Sequence, residues 1–219
     1  MGRQVNEREI VLAVLMEITE NGAYSHKILG EVLSKYQYLE KKERAFITRV
    51  TEGTLEHLIE IDYILDQFSK VKVKKMKPVI RNILRCAVYQ IKYMDQVPDS
   101  AACNEAVNLA TRKGFKNLRG FVNGVLRNIA RNIDKIAYPE NTEEFLSIKY
   151  SMPQWIIRMW VRDYGEEKTK YILEGFYKER ATTIRINGNA TTKEELIREL
   201  TGEGIQVKEH PLLASALLI

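Results

Sequence analysis

The side chains that most often serve as nucleophiles or metal ligands are few in this sequence and far apart. Its 219 residues include two cysteines, Cys86 and Cys103, and three histidines, His26, His57 and His210. These residues share no zinc-site spacing, and the sequence has no Cys-x-x-Cys pair. Both cysteines lie in apolar or alanine-rich stretches, which favours buried structural thiols over reactive ones. We therefore predict neither a catalytic residue nor a metal site in this chain.

Glycine patterns that hold nucleotide phosphates are also missing. No Gly-x-Gly-x-x-Gly or phosphate-loop motif occurs in the sequence. Gly202 and Gly204 follow a predicted helix instead of a strand, so they indicate a helix end. The sequence therefore predicts no cofactor-binding residue.

Basic residues are the chemically active feature that remains, and they are unevenly distributed. Residues 67–94 hold eight Lys and Arg side chains and no acid, and residues 106–133 hold six and no acid. The other 163 residues carry 20 basic and 29 acidic side chains. This segregation predicts a polyanionic partner, because Lys and Arg contacts with phosphates release counterions. The alternative is that these charges form solvated helix faces near acids from elsewhere in the fold.

The overall composition excludes several classes of protein. With 45% hydrophobic and 29% charged residues, 12 Gly and 5 Pro, the chain is neither collagen-like nor disordered. Two cysteines cannot make a disulfide framework, and they suit a reducing cytoplasm. No apolar run approaches the ~18 residues that a membrane span needs. We expect a cytoplasmic protein without a membrane partner.

The elements that must position the basic residues are predicted to be helices over residues 1–135. Apolar residues recur at helical spacing throughout this range, and no alternating strand pattern interrupts them. Asn6 and Glu9 form a plausible cap pair. Pro78 suits the first turn of a helix, and Gly114 suits a helix end. We predict an all-α bundle with short connections.

The second part of the chain has a different character. Residues 136–142 are predicted to be a linker, and residues 143–219 a small α+β domain. Residues 151–154 have the pattern of a capping box that opens a helix. Residues 183–187 and 205–207 are predicted to be strands. The fold class is therefore mainly α, with a helical bundle followed by a small α+β domain.

Three further features of the second domain lead to expectations about its core and its end. Met152, Trp155, Met159 and Trp160 recur at helical spacing and are predicted to lie in a core, not in a ligand site. Thr192 and Glu195 form a second capping box. Residues 212–219 are almost wholly apolar, which indicates either a buried final strand or an apolar edge left by truncation. We expect that the chain is part of a longer protein.

Several motifs of the first domain follow one another in a specific order. Arg81–Tyr93 reads RNILRCAVYQIKY, and Val97-Pro98 follows it. Asn104–Val107 reads NEAV, and Gly120–Arg127 reads GFVNGVLR. In this order they resemble the NusB-type RNA-binding helical domain. The Phe-Val-Asn-Gly-Val-Leu segment is the most specific of them.

The residue that follows this segment, and the second domain, narrow the resemblance. NusB proteins usually have an acidic residue where this chain has Arg127. In having an arginine at this position, the chain is similar instead to the amino-terminal domain of bacterial small-subunit ribosomal RNA cytosine-C5 methyltransferases, often called Sun or Fmu. Tyr150–Trp155, Tyr164-Gly165, Thr183–Asn187 and the Leu200 to Ile205 stretch are similar to that family's connecting domain. The resemblance covers nearly all of the chain.

The resemblance implies an enzyme as the parent protein. Members of that family use S-adenosylmethionine and two catalytic cysteines in a Rossmann-like domain further along the chain. Nothing in this sequence matches those motifs, and Cys86 and Cys103 lie in the wrong domain. We therefore expect this chain to lack the catalytic domain, to be inactive alone, and to bind no cofactor itself. The implied partners are small-subunit ribosomal RNA and, by intramolecular docking, the methyltransferase domain.

The candidate RNA contacts surround the end of one helix and the start of the next. Free backbone N–H groups at a helix start also favour phosphate. Asn123 could equally be a buried amide that fixes helix packing. Arg81 and Arg85 share a helix face and could be structural ion-pair partners. The candidate contacts are Arg112, Lys113, Lys116, Asn117, Arg119, Asn123 and Arg127.

Two other functions remain open at the level of the sequence. The first is a stand-alone transcription antitermination factor of the NusB kind, which would bind RNA and regulate transcription without an enzyme. The second is a protein-interaction module. The presence of a second domain argues against the first of these.

Overall fold

The computed structural model describes residues 6–178 and 181–219. The part of the predicted bundle formed by residues 1–5 lies outside the described residues. The chain divides into two compact units, the first ending at Lys170 and the second beginning at Tyr171. The predicted fold class, mainly α with a helical bundle followed by a small α+β part, is confirmed.

The first unit is built from helices joined by short connections, as predicted. Helix α10 (Glu166–Tyr177) spans the boundary between the two units. The preceding helices are α1 (Glu7–Thr19), α2 (Ser25–Lys35), α3 (Lys41–Glu56), α4 (Leu58–Phe68), α5 (Pro78–Tyr93), α6 (Asp99–Arg112), α7 (Arg119–Asn132), α8 (Thr142–Lys149) and α9 (Gln154–Tyr164).

Local signals in the sequence account for several helix ends. The Asn6 side chain accepts a hydrogen bond from the Glu9 N–H at 3.1 Å and caps α1, as predicted. Pro78 is the first residue of α5, where its missing N–H has no helical partner to lose. Gly114 follows α6 with φ +87°, a left-handed conformation that favours glycine.

Helix α5 forms the centre of the bundle. It contacts α1, α3, α4, α6 and α7. Its apolar side chains are buried from Ile80 to Val88. Because a helix in this position is covered on several sides, it holds its neighbours α6 and α7 in place, and these two helices carry most of the candidate RNA contacts.

The segment that follows α7 is fixed to the bundle by polar contacts. The Glu60 side chain on α4 is wholly buried, and the hydroxyl groups of Tyr93 and Tyr138 donate hydrogen bonds to its carboxylate. The Lys92 and Lys149 ammonium groups lie 3.3 and 3.8 Å from the same carboxylate. These contacts join α4 and α5 to residues 138–149.

The predicted capping box at residues 151–154 is wrong. Pro153 occupies the N-cap position of α9, and no side chain of the described residues caps this helix. Ser151 instead has φ +45°, and its Oγ accepts a hydrogen bond from the Glu60 N–H at 3.1 Å. The hydroxyl is therefore used by a tertiary contact, which a local sequence pattern cannot reveal.

The prediction that the aromatic stripe of α9 belongs to a core is wrong for two of its residues. Trp155 is 66% exposed and Met159 is 37% exposed. Ile157 is the residue of α9 that is fully buried. Helical spacing identifies an apolar face, but the neighbouring elements decide how much of that face is covered.

The second unit contains a small antiparallel sheet. Its elements are β1 (Thr183–Arg185), α11 (Lys193–Gly202), β2 (Lys208–Glu209) and β3 (Ala216–Leu218), with strand order β1-β3-β2. The last strand is the central one, and Leu217 is fully buried. The predicted capping box of Thr192 and Glu195 is present at the start of α11.

The strand predicted at residues 205–207 is wrong by several positions. The Ile205 N–H donates to the Leu200 carbonyl at 3.0 Å, which ends α11. Ladder pairing begins only at Lys208, opposite Leu218. The end of the helix therefore takes up the Ile205 N–H, which the apolar pattern assigned to a strand.

Candidate nucleic-acid interface

The connection between α6 and α7 carries the centre of the candidate interface. The Gly114 N–H donates to Thr111 and the Phe115 N–H donates to Ala110, which closes α6 in a Schellman motif. A single 3₁₀ turn, Lys116–Leu118, then leads directly into α7. We call residues 114–121 the basic loop. Its short, closed backbone fixes the positions of Lys116, Asn117 and Arg119 along the chain between the two helices.

A polar groove lies between α6 and α7 on one side of the basic loop. Its volume is about 700 Å³. It brings together three of the predicted contacts, Lys116, Arg119 and Asn123. Neither Lys116 nor Arg119 forms an ion pair with any described residue, so both cations are available to an anion. The groove is lined by Asn104, Val107, Asn108, Lys116, Arg119, Gly120 and Asn123.

Two residues of the polar groove were missed by the sequence reasoning. Asn104 and Asn108 lie four residues apart on α6 and therefore on one face of the helix. Their amides add hydrogen-bond donors and acceptors to the groove. The spacing of two asparagines on a helix that precedes the basic loop is the signal that could have identified them.

An apolar groove lies on the other side of the basic loop, with a volume of about 560 Å³. It joins the two basic segments of the sequence, because Lys75 and Lys77 come from the first segment and Asn117 from the second. The groove is lined by Val71, Lys75, Met76, Lys77, Ile80, Gly114, Phe115, Asn117, Leu118 and Phe121.

Arg112 and Lys113 lie at the end of α6 and have acidic partners on other turns of the bundle. The Arg112 Nε is 2.8 Å from a Glu9 carboxylate oxygen, and its Nη2 is 3.8 Å from Glu105. The Lys113 Nζ is 3.9 Å from Glu9. These half-exposed pairs partly neutralise the two charges, so the structure distinguishes them from Lys116 and Arg119.

Asn123 and Arg127 are joined to each other on α7. The Arg127 Nε donates a hydrogen bond to the Asn123 Oδ1 at 2.9 Å. Asn123 is half-buried and lines the polar groove, whereas Arg127 is exposed. Asn123 therefore takes part in helix-surface hydrogen bonding while its amide still faces the groove.

The two arginines of α5 are structural ion-pair partners, as the alternative interpretation holds. Arg85 donates two hydrogen bonds to the Asp62 carboxylate, at 2.8 and 2.7 Å. Arg81 pairs with Glu20. Burial raises the pKa of the Glu20 carboxyl, but hydrogen bonds from Arg81 and Asn82 outweigh it and hold that pKa below its usual value. Part of the first basic segment is thus used inside the bundle.

The two thiols do not form a reactive site. Cys86 and Cys103 are both buried. Burial raises the pKa of the Cys86 thiol to about 12 and raises that of Cys103 above its ordinary value. Because the thiolate is the nucleophile, such thiols react poorly. Among the residues that the structure describes, no group of three or more His, Cys, Asp or Glu side chains could hold a metal ion.

The two grooves do not fit S-adenosylmethionine. Its ribose hydroxyl groups call for a carboxylate, as in other sites that bind an adenosine ribose. Among the described residues that line either groove, none is Asp or Glu. In the described part of the chain, no helix is long and apolar enough to span a membrane.

Comparison with protein-family models divides the chain in two. Residues 5–131 match the NusB family. Residues 152–219 match the family described as Methyltr_RsmF/B-like, ferredoxin-like domain. The two matches follow one another in the order in which the helical bundle and the α+β part occur.

Individual relatives extend this picture. The "Probable ribosomal RNA small subunit methyltransferase B" of Bacillus subtilis strain 168 is 33% identical over 216 residues, which are 98% of this chain and 48% of the relative. The crystal structure of PH0851 has a similar fold, with a TM-score of 0.65 and 19% identity, over 99% of this chain and 49% of that one. The chain thus spans about half the length of these relatives.

A second similar structure contains a nucleic acid. It is the crystal structure of antitermination factors NusB and NusE in complex with dsRNA, with a TM-score of 0.53 and 22% identity. The similarity covers 57% of this chain and 93% of that one. At this identity it shows that the helical bundles share a fold.

Proposed function

The chain belongs to the NusB family, and from this premise we propose that it is the RNA-binding and positioning part of a ribosomal RNA methyltransferase. One observation carries the proposal. A relative named as a ribosomal RNA small subunit methyltransferase matches 98% of the chain, through both matched domains. The proposed substrate is cytosine C5 in small-subunit ribosomal RNA.

The role of the helical bundle is to hold the RNA that flanks the modified base. A base in a structured RNA must be presented to a catalytic pocket, and contacts to phosphates fix the register of the RNA. Lys116 and Arg119 on the basic loop, with the amides of the polar groove, supply such contacts. S-adenosylmethionine is assigned to the parent protein, since neither groove of this chain suits it.

Two other functions are less favoured. A stand-alone antitermination factor would have no use for the second domain, which matches a methyltransferase-associated family. A protein-interaction module would not require a groove lined by cations and amides. The salt dependence of binding separates RNA binding from a protein-interaction module that docks its partner by apolar contacts.

RNA binding by the chain is tested with two charge-reversal variants of equal net charge. The variant Lys116→Glu/Arg119→Glu is expected to bind a small-subunit ribosomal RNA fragment more weakly. The plot of log K against log salt concentration should also become shallower, by about 1 in slope for each phosphate that the variant no longer neutralises. The measurement is fluorescence anisotropy over a salt titration.

The matched control is Lys27→Glu/Lys35→Glu on α2, whose residues line neither groove. It should retain the slope of the unchanged chain. Equal slopes for all three proteins would refute the contact surface. The enzymatic part of the proposal is tested with the natural parent protein. The measurement maps 5-methylcytosine in the RNA after transfer of the labelled methyl group of S-adenosylmethionine. If no label enters small-subunit RNA, the enzymatic part is refuted.

A further inference from the structure

If the basic loop bound only phosphates, the apolar groove beside it would stay empty. We propose that it receives one unpaired base of the bound RNA, and that this chain therefore selects RNA with a bulged or looped-out nucleotide over continuous duplex. This inference rests on the proposed function, since it concerns the same RNA.

The walls of the apolar groove suit the flat face of a base. Met76 and Ile80 are buried beneath it, and Phe115 and Phe121 are half-buried at its sides. Aromatic and apolar side chains of this kind stack on bases with little dependence on sequence. A groove of about 560 Å³ gives one base ample room.

The charge around the apolar groove selects an anionic occupant. Lys75 and Lys77 are exposed at its rim, and neither forms an ion pair with a described residue. None of the described lining residues carries a carboxylate. An apolar ligand without negative charge would gain nothing from these two ammonium groups, whereas a nucleotide offers a base and a phosphate together.

Continuity with the polar groove favours RNA over an acidic peptide. Asn117 and Leu118 line the apolar groove, while Lys116 and Arg119 line the polar groove. An RNA strand that crosses the loop can therefore place a phosphate on one side and a base on the other. The side-chain amides of Asn117 and Asn123 can each donate and accept hydrogen bonds, which is what the edges of bases require. The carboxylates of an acidic peptide would need hydrogen-bond donors only.

The test compares two RNA duplexes that differ by one nucleotide. One is fully paired, and the other has the same sequence with a single bulged 2-aminopurine. We expect the bulged RNA to bind the unchanged chain roughly tenfold more tightly, within the range that base stacking provides. The 2-aminopurine fluorescence should change on binding. Phe115→Ala should bring the ratio of the two affinities close to one.

A second variant guards against misfolding of Phe115→Ala. Val71 stands at the lip of the groove and is 39% exposed, so Val71→Ser should lower the preference for the bulged RNA without disturbing the core. The matched control is Tyr38→Ala, which removes a side chain that is 70% exposed and lines neither groove. The control should keep the full preference.

The outcomes separate this inference from the proposed function. Equal affinity of the unchanged chain for both RNAs overturns the inference and leaves RNA binding intact. A loss in Phe115→Ala that is equal for both RNAs also overturns it. A third outcome would assign the groove to a protein partner instead. In that case a labelled glutamate-rich peptide with one Trp would bind, Phe115→Ala would abolish its binding, and the chain would show no preference for the bulged RNA. No binding of either RNA at low salt would overturn both proposals.

Discussion

Gly53 on α3 lies directly against the side chain of Tyr89 on α5. A Cβ atom built on Gly53 would collide with the Tyr89 ring. Tyr89 is itself buried, so the ring has little room to move away. The absence of a side chain at Gly53 therefore leaves the space that the Tyr89 ring occupies between two helices of the core.

We expect Gly53→Ala to lower the free energy of unfolding by about 1–3 kcal/mol, because the added methyl overpacks the core. The matched control is Gly30→Ala within α2, where nothing lies within 4 Å of the new Cβ. Its higher helix propensity should raise stability by about 0.5–1 kcal/mol. Urea unfolding measures both. Two changes of the same sign would contradict this account of Gly53.

At the scale of elements, the segment from residue 137 to 151 is attached to α4 by more than Glu60. The Tyr63 hydroxyl and the Gln67 amide both donate hydrogen bonds to the Ala137 carbonyl, at 2.6 and 2.8 Å. Lys92 and Lys149 also lie over the Tyr138 ring. What the sequence suggests to be a linker is therefore packed onto the bundle at residues 137 and 138.

Glu60→Gln should loosen this segment, because the amide leaves Lys92 without its buried anion. Breaking such a pair destabilises by roughly 3–5 kcal/mol. Hydrogen exchange of the amides in α8 should accelerate, and the urea midpoint should fall. The control Glu56→Gln removes an acid from α3 whose pKa is raised by burial and by the charge of Glu52. Because the charge of Glu56 is unfavourable in the fold, the stability of this variant should not fall. A Glu60→Gln protein as protected as this control would refute the anchoring role.

At the scale of the whole molecule, the fold sorts the basic residues into two groups. Arg81, Arg85 and Lys92 pair with acids within the bundle. Lys75, Lys77, Lys116 and Arg119 have no acidic partner among the described residues and line the two grooves. The surface charge thus concentrates at the basic loop, where the two segments of the sequence meet. The net charge of +5 conceals this concentration.

The second unit depends on its last strand. Leu217 is fully buried, and β3 lies between β1 and β2. Leu217→Ala should lower the stability of this unit by about 2–5 kcal/mol and expose the amides of β1 to exchange. The control Leu213→Ala truncates a side chain that is 54% exposed and should have little effect. Unchanged protection of β1 in Leu217→Ala would contradict the central role of β3.

Several local features of this protein could be predicted from its sequence. The cap at Asn6, the start of α5 at Pro78 and the end of α6 at Gly114 depend on side chains and backbone conformations within a few residues. The position of Lys116, Asn117 and Arg119 at a helix junction follows from the same signals. The all-α bundle follows as well, since apolar stripes at helical spacing are a local record of burial.

Only the tertiary structure decided which of the basic residues remain available to an anionic partner. Arg81 lies 61 residues from its partner Glu20, and Arg85 lies 23 residues from Asp62. No local pattern contains such distant pairs. The sequence around a lysine or arginine therefore does not indicate whether that residue forms an ion pair in the fold. The apolar groove has the same origin, because Lys77 and Phe121 become neighbours only when α5 packs against α6 and α7. Long-range packing fixes these distances, and the chemistry of the surface follows from them.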